Sequence, residues 1–249
     1  MRPACARIAA ALLIAAGFAS AASAASDAAS ATAATGDEAG IAPFSAHYVA
    51  QWKDISVASS DLVLKRAPGA GSWVYTWRIS ARGIFRLFYK HDVVQTSWFR
   101  VRGALVRPQK YQAVDGASHL SVRFDWRAGR VRGTVAGKPL DIAVQEGTQD
   151  IMSIQVQVMR DLQQGNLPAR FWILDKDKIK DFEYTREGGA RLRTELGELD
   201  TVVVASRRVG DSRVLRMWFA PSLNFVPVQA ERRRDGKLEF AMRIQKLQR

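Results

Sequence analysis

Cysteine is almost missing from this chain, and the single one, Cys5, lies ahead of an apolar run near the N-terminus. From Ala6 onward there is no thiol, which excludes disulfides, thiolate metal sites and a cysteine nucleophile from the remainder. A fold without such staples has to be held by its core. Histidine is scarce as well: His47, His91 and His119 are far apart, at no spacing typical of a metal site, and no metal ligands or cofactor are expected. No Gly-x-Ser-x-Gly elbow is present, although a catalytic triad drawn from distant positions stays open. After Phe18 no apolar run is long enough to cross a bilayer, and no internal repeat is found.

What is present begins with a targeting pattern. Arg2 and Arg7 precede the apolar stretch Ile8 to Phe18, and Ala22-Ser23-Ala24 supplies small residues for cleavage, so residues 1–24 read as a secretory signal peptide. The apolar stretch is about half of what a membrane anchor needs. Because Cys5 precedes that stretch, it is not placed like the lipid-bearing cysteine of a lipoprotein signal, and a periplasmic, non-lipidated product is expected. Residues 25–40, nearly all Ala, Ser, Thr, Gly or acidic, read as a disordered linker, and 41–249 as a single β domain. The chain holds 37 Lys and Arg against 24 Asp and Glu, a net +13. Export argues against nucleic acid as the partner and leaves lipid head groups or anionic envelope polymers; the alternative is that arginines simply decorate solvated faces.

The dominant pattern in the domain is alternation with a period of two, which puts every second side chain of a strand on one face. Phe44, Ala46, Tyr48, Ala50 and Trp52 follow it, as do Trp73, Tyr75, Trp77 and Ile79, then Leu120, Val122, Phe124 and Trp126, and finally Leu238, Phe240, Met242 and Ile244. Turn residues such as Asp115-Gly116, Ala136-Gly137 and Asp235-Gly236 end these runs. The prediction is an all-β, mainly antiparallel fold, a curved sheet or half-open β-barrel. One stretch breaks the period: after the possible N-cap Thr148, the residues Ile151, Ile154, Val158 and Leu162 recur at helical spacing up to Gly165, which predicts a principal helix over 149–164. A shorter helical turn is expected around Ile84 to Phe88.

Candidate chemistry is sparse. The acidic and basic residues from Asp175 to Asp181 alternate like a solvated loop, and Asp150 with Ser153 bracket the first helical turn, where both can satisfy free backbone N–H groups. No catalytic residue is singled out. Tryptophan is the more informative type, with seven in the chain. If the sheet is only half closed, the faces carrying Trp52, Trp73, Trp77 and Trp126 can line a cavity for acyl chains, with Arg78 and Arg123 at its rim; otherwise the same tryptophans are core.

Asp150-Ile151-Met152-Ser153, Thr194 to Thr201 (TELGELDT), Trp218-Phe219-Ala220-Pro221 and Val226-Pro227-Val228, in that order, resemble the exported bacterial domain-of-unknown-function family 3108. Thr96-Ser97-Trp98-Phe99, Arg107-Pro108 and Phe124-Asp125-Trp126 extend the likeness to about 41–249. The resemblance implies an envelope β protein and brings no established catalytic residues with it. The function expected is a non-enzymatic binding or carrier domain for an amphiphilic or anionic envelope component. An envelope-acting hydrolase and a structural partner of an envelope complex are the alternatives.

Overall fold

The computed structural model describes residues 40–52 and 55–249. The expected signal peptide over 1–24 and the linker, apart from Gly40, lie outside them. Among the described residues fifteen strands form one sheet. The first eight are β1 (Phe44–Trp52), β2 (Ile55–Arg66), β3 (Ser72–Ala81), β4 (Val93–Arg102), β5 (Leu105–Asp115), β6 (Ser118–Asp125), β7 (Arg130–Val135) and β8 (Lys138–Ala143). The rest are β9 (Gln149–Asp150), β10 (Arg170–Asp175), β11 (Lys178–Thr194), β12 (Gly197–Arg208), β13 (Arg213–Ala220), β14 (Val226–Arg234) and β15 (Lys237–Gln248). A single turn of helix, α1 (Phe85–Phe88), interrupts the β3–β4 connection, and α2 (Ser153–Gln163) follows β9.

The order within the sheet explains its shape. β1 lies beside β15, Ser45 opposite Gln248, so the two ends of the domain are neighbours. From this seam β2 to β8 step outward on one side and β14 down to β9 on the other. The edge strands β8 and β9 do not pair with each other, and the sheet stays open. All pairs are antiparallel except β9 with β10, which need a crossover, and α2 supplies it.

Alternation in the sequence becomes alternation in burial. Phe44, Ala46 and Tyr48 of β1, Trp73, Tyr75 and Ile79 of β3, and Leu120, Val122 and Phe124 of β6 point inward and are buried. Both Ala136-Gly137 and Asp235-Gly236 have two successive positive φ values, the conformation of a two-residue hairpin turn that matches strand twist. At Gly133 the sheet comes close to itself: a Cβ there would stand 2.1 Å from the Ser121 carbonyl oxygen, so only glycine lets β7 approach β6.

The expected helix over 149–164 is shorter than predicted. Gln149 and Asp150 pair with Ile173 and Leu174 as a strand, and the helix begins at Ser153. Asp150, rather than Thr148, supplies the cap: its Oδ1 accepts from the backbone N–H groups of Met152 and Ser153, both at 2.8 Å. α2 is enclosed by the sheet, with Ile154, Val156, Val158, Met159 and Leu162 all in the core. Ser153, Gln157, Arg160 and Asp161 on it are buried too, and two of them find partners on the β4–β5 turn and the start of β5. Gln157 accepts from the Val106 N–H at 2.7 Å and donates to the Ala104 carbonyl at 3.1 Å, while Arg160 donates to the Gly103 carbonyl at 2.6 Å. Among the described residues no helix is long and apolar enough to cross a membrane.

Candidate functional site

In an up-and-down sheet the connections alternate between two ends. The β4–β5 turn, to which α2 is tied, lies at one end, so α2 plugs that half of the interior. The β3–β4, β10–β11, β12–β13 and β14–β15 connections lie at the other, with the end of β1 and the start of β2. Between the first turn of α2 and this second end the interior is unfilled, leaving a cavity of about 480 Å³.

The cavity has an apolar floor and a charged mouth. Leu62, Trp77, Ile154, Phe182, Met217 and Met242 are among the apolar side chains that line it. Tyrosines at its wall are already engaged: Tyr48 donates to the Pro227 carbonyl at 2.7 Å and Tyr111 to Gln95 Oε1 at 2.8 Å. Burial pushes the phenols of Tyr48, Tyr111 and Tyr184 well above their ordinary range, so they are neutral phenols rather than bases. Toward the mouth stand Lys176, Lys180, Arg207, Arg208, Arg213 and Arg232. Three carboxylates hold several of them. Asp175 accepts from Lys180 Nζ at 2.6 Å, Asp211 pairs with Arg208 at 3.1 Å, and Glu239 pairs with Arg232 at 2.7 Å. The stretch Asp175 to Asp181, which reads in sequence as a solvated loop, is the β10–β11 hairpin at this mouth. An amphiphile with an anionic head is the shape and charge that such a cavity accommodates.

Beneath the cavity, next to the lining residue Ile151, lies a buried carboxyl. Asp150 is wholly buried and accepts from Ser97 Oγ at 2.6 Å in addition to its two backbone donors. Burial pushes its pKa up to about 6, against the lowering effect of those donors. Ser153 Oγ in turn accepts from the Asp150 N–H at 2.9 Å, so the pair locks the start of α2. Among the described residues no cluster of three or more His, Asp or Glu is arranged to hold a metal ion.

A second concavity, about 710 Å³, lies on the outer face of β4 to β7 near the plugged end. Arg100, Arg102, Arg107, Arg123 and Arg132 surround it. Arg107 lies over the Trp126 ring at 5.0 Å and pairs with Glu146, and Arg132 pairs with Asp125. Arg100, Arg102 and Arg123 make no ion pair among the described residues, and all three are exposed.

The structure separates the tryptophans that the alternation grouped. Trp77 lines the cavity and donates to Ser60 Oγ. Trp73, with no exposed surface, is core. Trp126 stands past the end of β6, stacked on Phe124 and donating to the Pro108 carbonyl at 2.5 Å, where it borders the outer cleft with Arg123. Trp52 is half-buried at the end of β1, beyond a register shift at Ala50/Gln51, and lines neither concavity. Arg78 is exposed on β3 and bonded to Asp92 at 3.3 Å. The cations of the mouth were not singled out in sequence, because they come from β11, β12, β13, β14 and the turn before β11, and no local spacing joins them.

The model of a protein family of unknown function, DUF3108, matches residues 44–242. No curated protein matches the chain. Among solved structures, a candidate lipoprotein from Parabacteroides distasonis is similar at 10% identity and a TM-score of 0.33, over 84% of this chain and 96% of that one. A candidate exported protein with YmcC-like fold from Bacteroides fragilis is similar at 6% identity and a TM-score of 0.30, over 83% and 94%.

Proposed function

We propose, for a chain that belongs to the DUF3108 family, the role of an exported, periplasmic and non-enzymatic binding or carrier domain for an amphiphile with an acyl portion and an anionic head. The observation that carries this reading is the interior cavity, apolar at the floor by Trp77 and cationic at the mouth. Its volume suits one small ligand or part of an acyl chain. Signal cleavage after Ala24 would release the domain without a lipid anchor, since Cys5 leaves with the peptide.

The test is binding of a soluble acyl-chain probe, followed through tryptophan fluorescence, beside native mass spectrometry of protein recovered from periplasm. The expected result is a co-purifying amphiphile that the probe displaces, and weaker probe binding by Ala230→Trp, which fills space at the cavity wall. Failure of the probe to bind, together with heavy destabilisation by Trp77→Ala, would leave a solid-cored protein and remove the carrier reading.

The outer cleft favours a second reading, in which Arg123 and Trp126, with Arg100 and Arg102, hold an anionic envelope polymer. Retention of a polyanion that falls with salt and is weakened by Arg100→Ser with Arg123→Ser would support it. Retention unchanged by that pair of substitutions would remove it.

A further inference from the structure

Exposed apolar side chains are not spread evenly over this molecule. Among the described residues the large ones are Ile55, Ile84, Leu87, Phe88, Val209 and Leu238, with Leu105 and Trp172 elsewhere. The first six all lie at the start of β2 or in or beside the β3–β4, β12–β13 and β14–β15 connections, which is the end where the cavity opens.

The β3–β4 connection is the most exposed of them. Ile84, Leu87 and Phe88 are 66%, 74% and 73% exposed, at the i, i+3, i+4 spacing that makes one apolar stripe on a helical turn. A stripe of that kind usually faces a core, yet α1 has no buried residue. The turn is nevertheless fixed. The Arg82 N–H donates to the Val57 carbonyl at 3.0 Å, the Tyr89 N–H to Phe85 at 2.9 Å, and Arg86 pairs with Asp92 at 2.7 Å. A hydrogen-bonded projection thus holds three large apolar groups in water, with Arg82, Arg86 and Lys90 around them.

A protein interface has a contiguous apolar core ringed by polar residues. Here the apolar groups are tips distributed around a rim, with cations between them, including those at the cavity mouth. This pattern fits the boundary of a bilayer, where tips enter the acyl region and cations meet anionic head groups.

We infer that the mouth end of the sheet docks on an anionic phospholipid bilayer, with Leu87 and Phe88 inserted and the surrounding cations on the head groups. The inference rests on the carrier reading for its purpose: docked this way, the cavity opens onto the membrane, and an acyl chain passes between the two without crossing water. The physical docking itself does not require that the cavity bind anything.

The experiment is vesicle flotation of the protein as purified from periplasm, with vesicles of phosphatidylcholine alone or mixed with phosphatidylglycerol. Wild type is expected to float with the anionic vesicles, less so as salt rises, and Leu87→Glu with Phe88→Glu to weaken this at least about tenfold, as loss of two inserted apolar side chains requires. An unchanged urea midpoint verifies that the variant is folded. Acyl-probe binding by that variant in vesicle-free solution is expected to match wild type. Wild type that floats with neither vesicle, or a double variant that floats as wild type does, overturns the inference. Probe binding lost in Ala230→Trp with flotation intact separates the cavity from the docking surface, and flotation by a protein that binds no probe keeps the docking while ending the carrier reading.

Discussion

Replacing Asp150 by Asn isolates the free energy of one buried charge. The carboxyl has no exposed surface, and its pKa is pushed from 3.8 to about 6, burial outweighing its hydrogen bonds. In the unfolded chain it ionises at the ordinary value. Between those two values the folded state holds the extra proton, so stability from this group is fully present below about pH 4 and is lost as pH rises through 6. The shift of about two pH units corresponds to roughly 3 kcal/mol that ionisation removes from the folded state at pH 7.

Asn imitates the protonated acid at every pH. Its Oδ1 can still accept from Met152 and Ser153, and its Nδ2 can donate to Ser97 Oγ, which changes from donor to acceptor. Asp150→Asn should therefore exceed wild type by up to about 3 kcal/mol at pH 7, the difference vanishing near pH 4. Urea unfolding at several pH values, followed by tryptophan fluorescence with a constant slope, measures this directly. Asp161 is shifted up in the same direction by its own burial, so only the difference between variant and wild type reports on Asp150. A variant less stable than wild type at pH 7, by a margin that grows with pH, would refute the reasoning. The helix N-terminus would then stabilise the charge by more than burial costs it.

Other substitutions probe the neighbouring parts. Trp73→Ala, at a wholly buried site, should cost roughly 3–5 kcal/mol, and Trp77→Ala, beside space that is already open, roughly 1–3, both read from urea midpoints. Gly133→Ala should destabilise by about 1–3 kcal/mol or prevent folding, because the new methyl meets the backbone of Ser121 and Val122 rather than a movable side chain. Gln157→Leu should cost roughly 2–4 kcal/mol by stranding the Val106 N–H and the Ala104 carbonyl, and faster amide exchange at Val106 would show that this is the cause.

Much of the fold is written locally. Trp73, Tyr75 and Ile79 announce a half-buried strand, and Asp235-Gly236 announces its kind of hairpin, because both signals depend on neighbours in the chain. The helix start was misplaced because the fate of Gln149 and Asp150 is set by Ile173 and Leu174, more than twenty residues away. Gln157, Arg160 and Asp161 gave no sign of burial for a related reason. On a helix of this composition they look like a solvent face; the β4–β5 turn and the start of β5 provide the carbonyl and N–H groups that make burying Gln157 and Arg160 tolerable, and Gln157 in turn donates to Asp161.

The site was less legible, and two cases show why. Four tryptophans with the same local pattern end in four surroundings, because distance along each strand from the α2 plug, and not strand face alone, decides between core, cavity wall and outer cleft. Trp73 and Trp77 share a face of β3 and differ by four residues, yet one is sealed and the other borders open space. The stripe Ile84, Leu87, Phe88 makes the same point in reverse. Its spacing is that of a core helix, and its short length and lack of any covering element become visible only once the sheet places it at the rim. A local pattern specifies that an apolar face needs a partner, while the topology determines whether that partner lies within the chain; at this rim none of the described residues covers it, and the mouth of the cavity opens beside it.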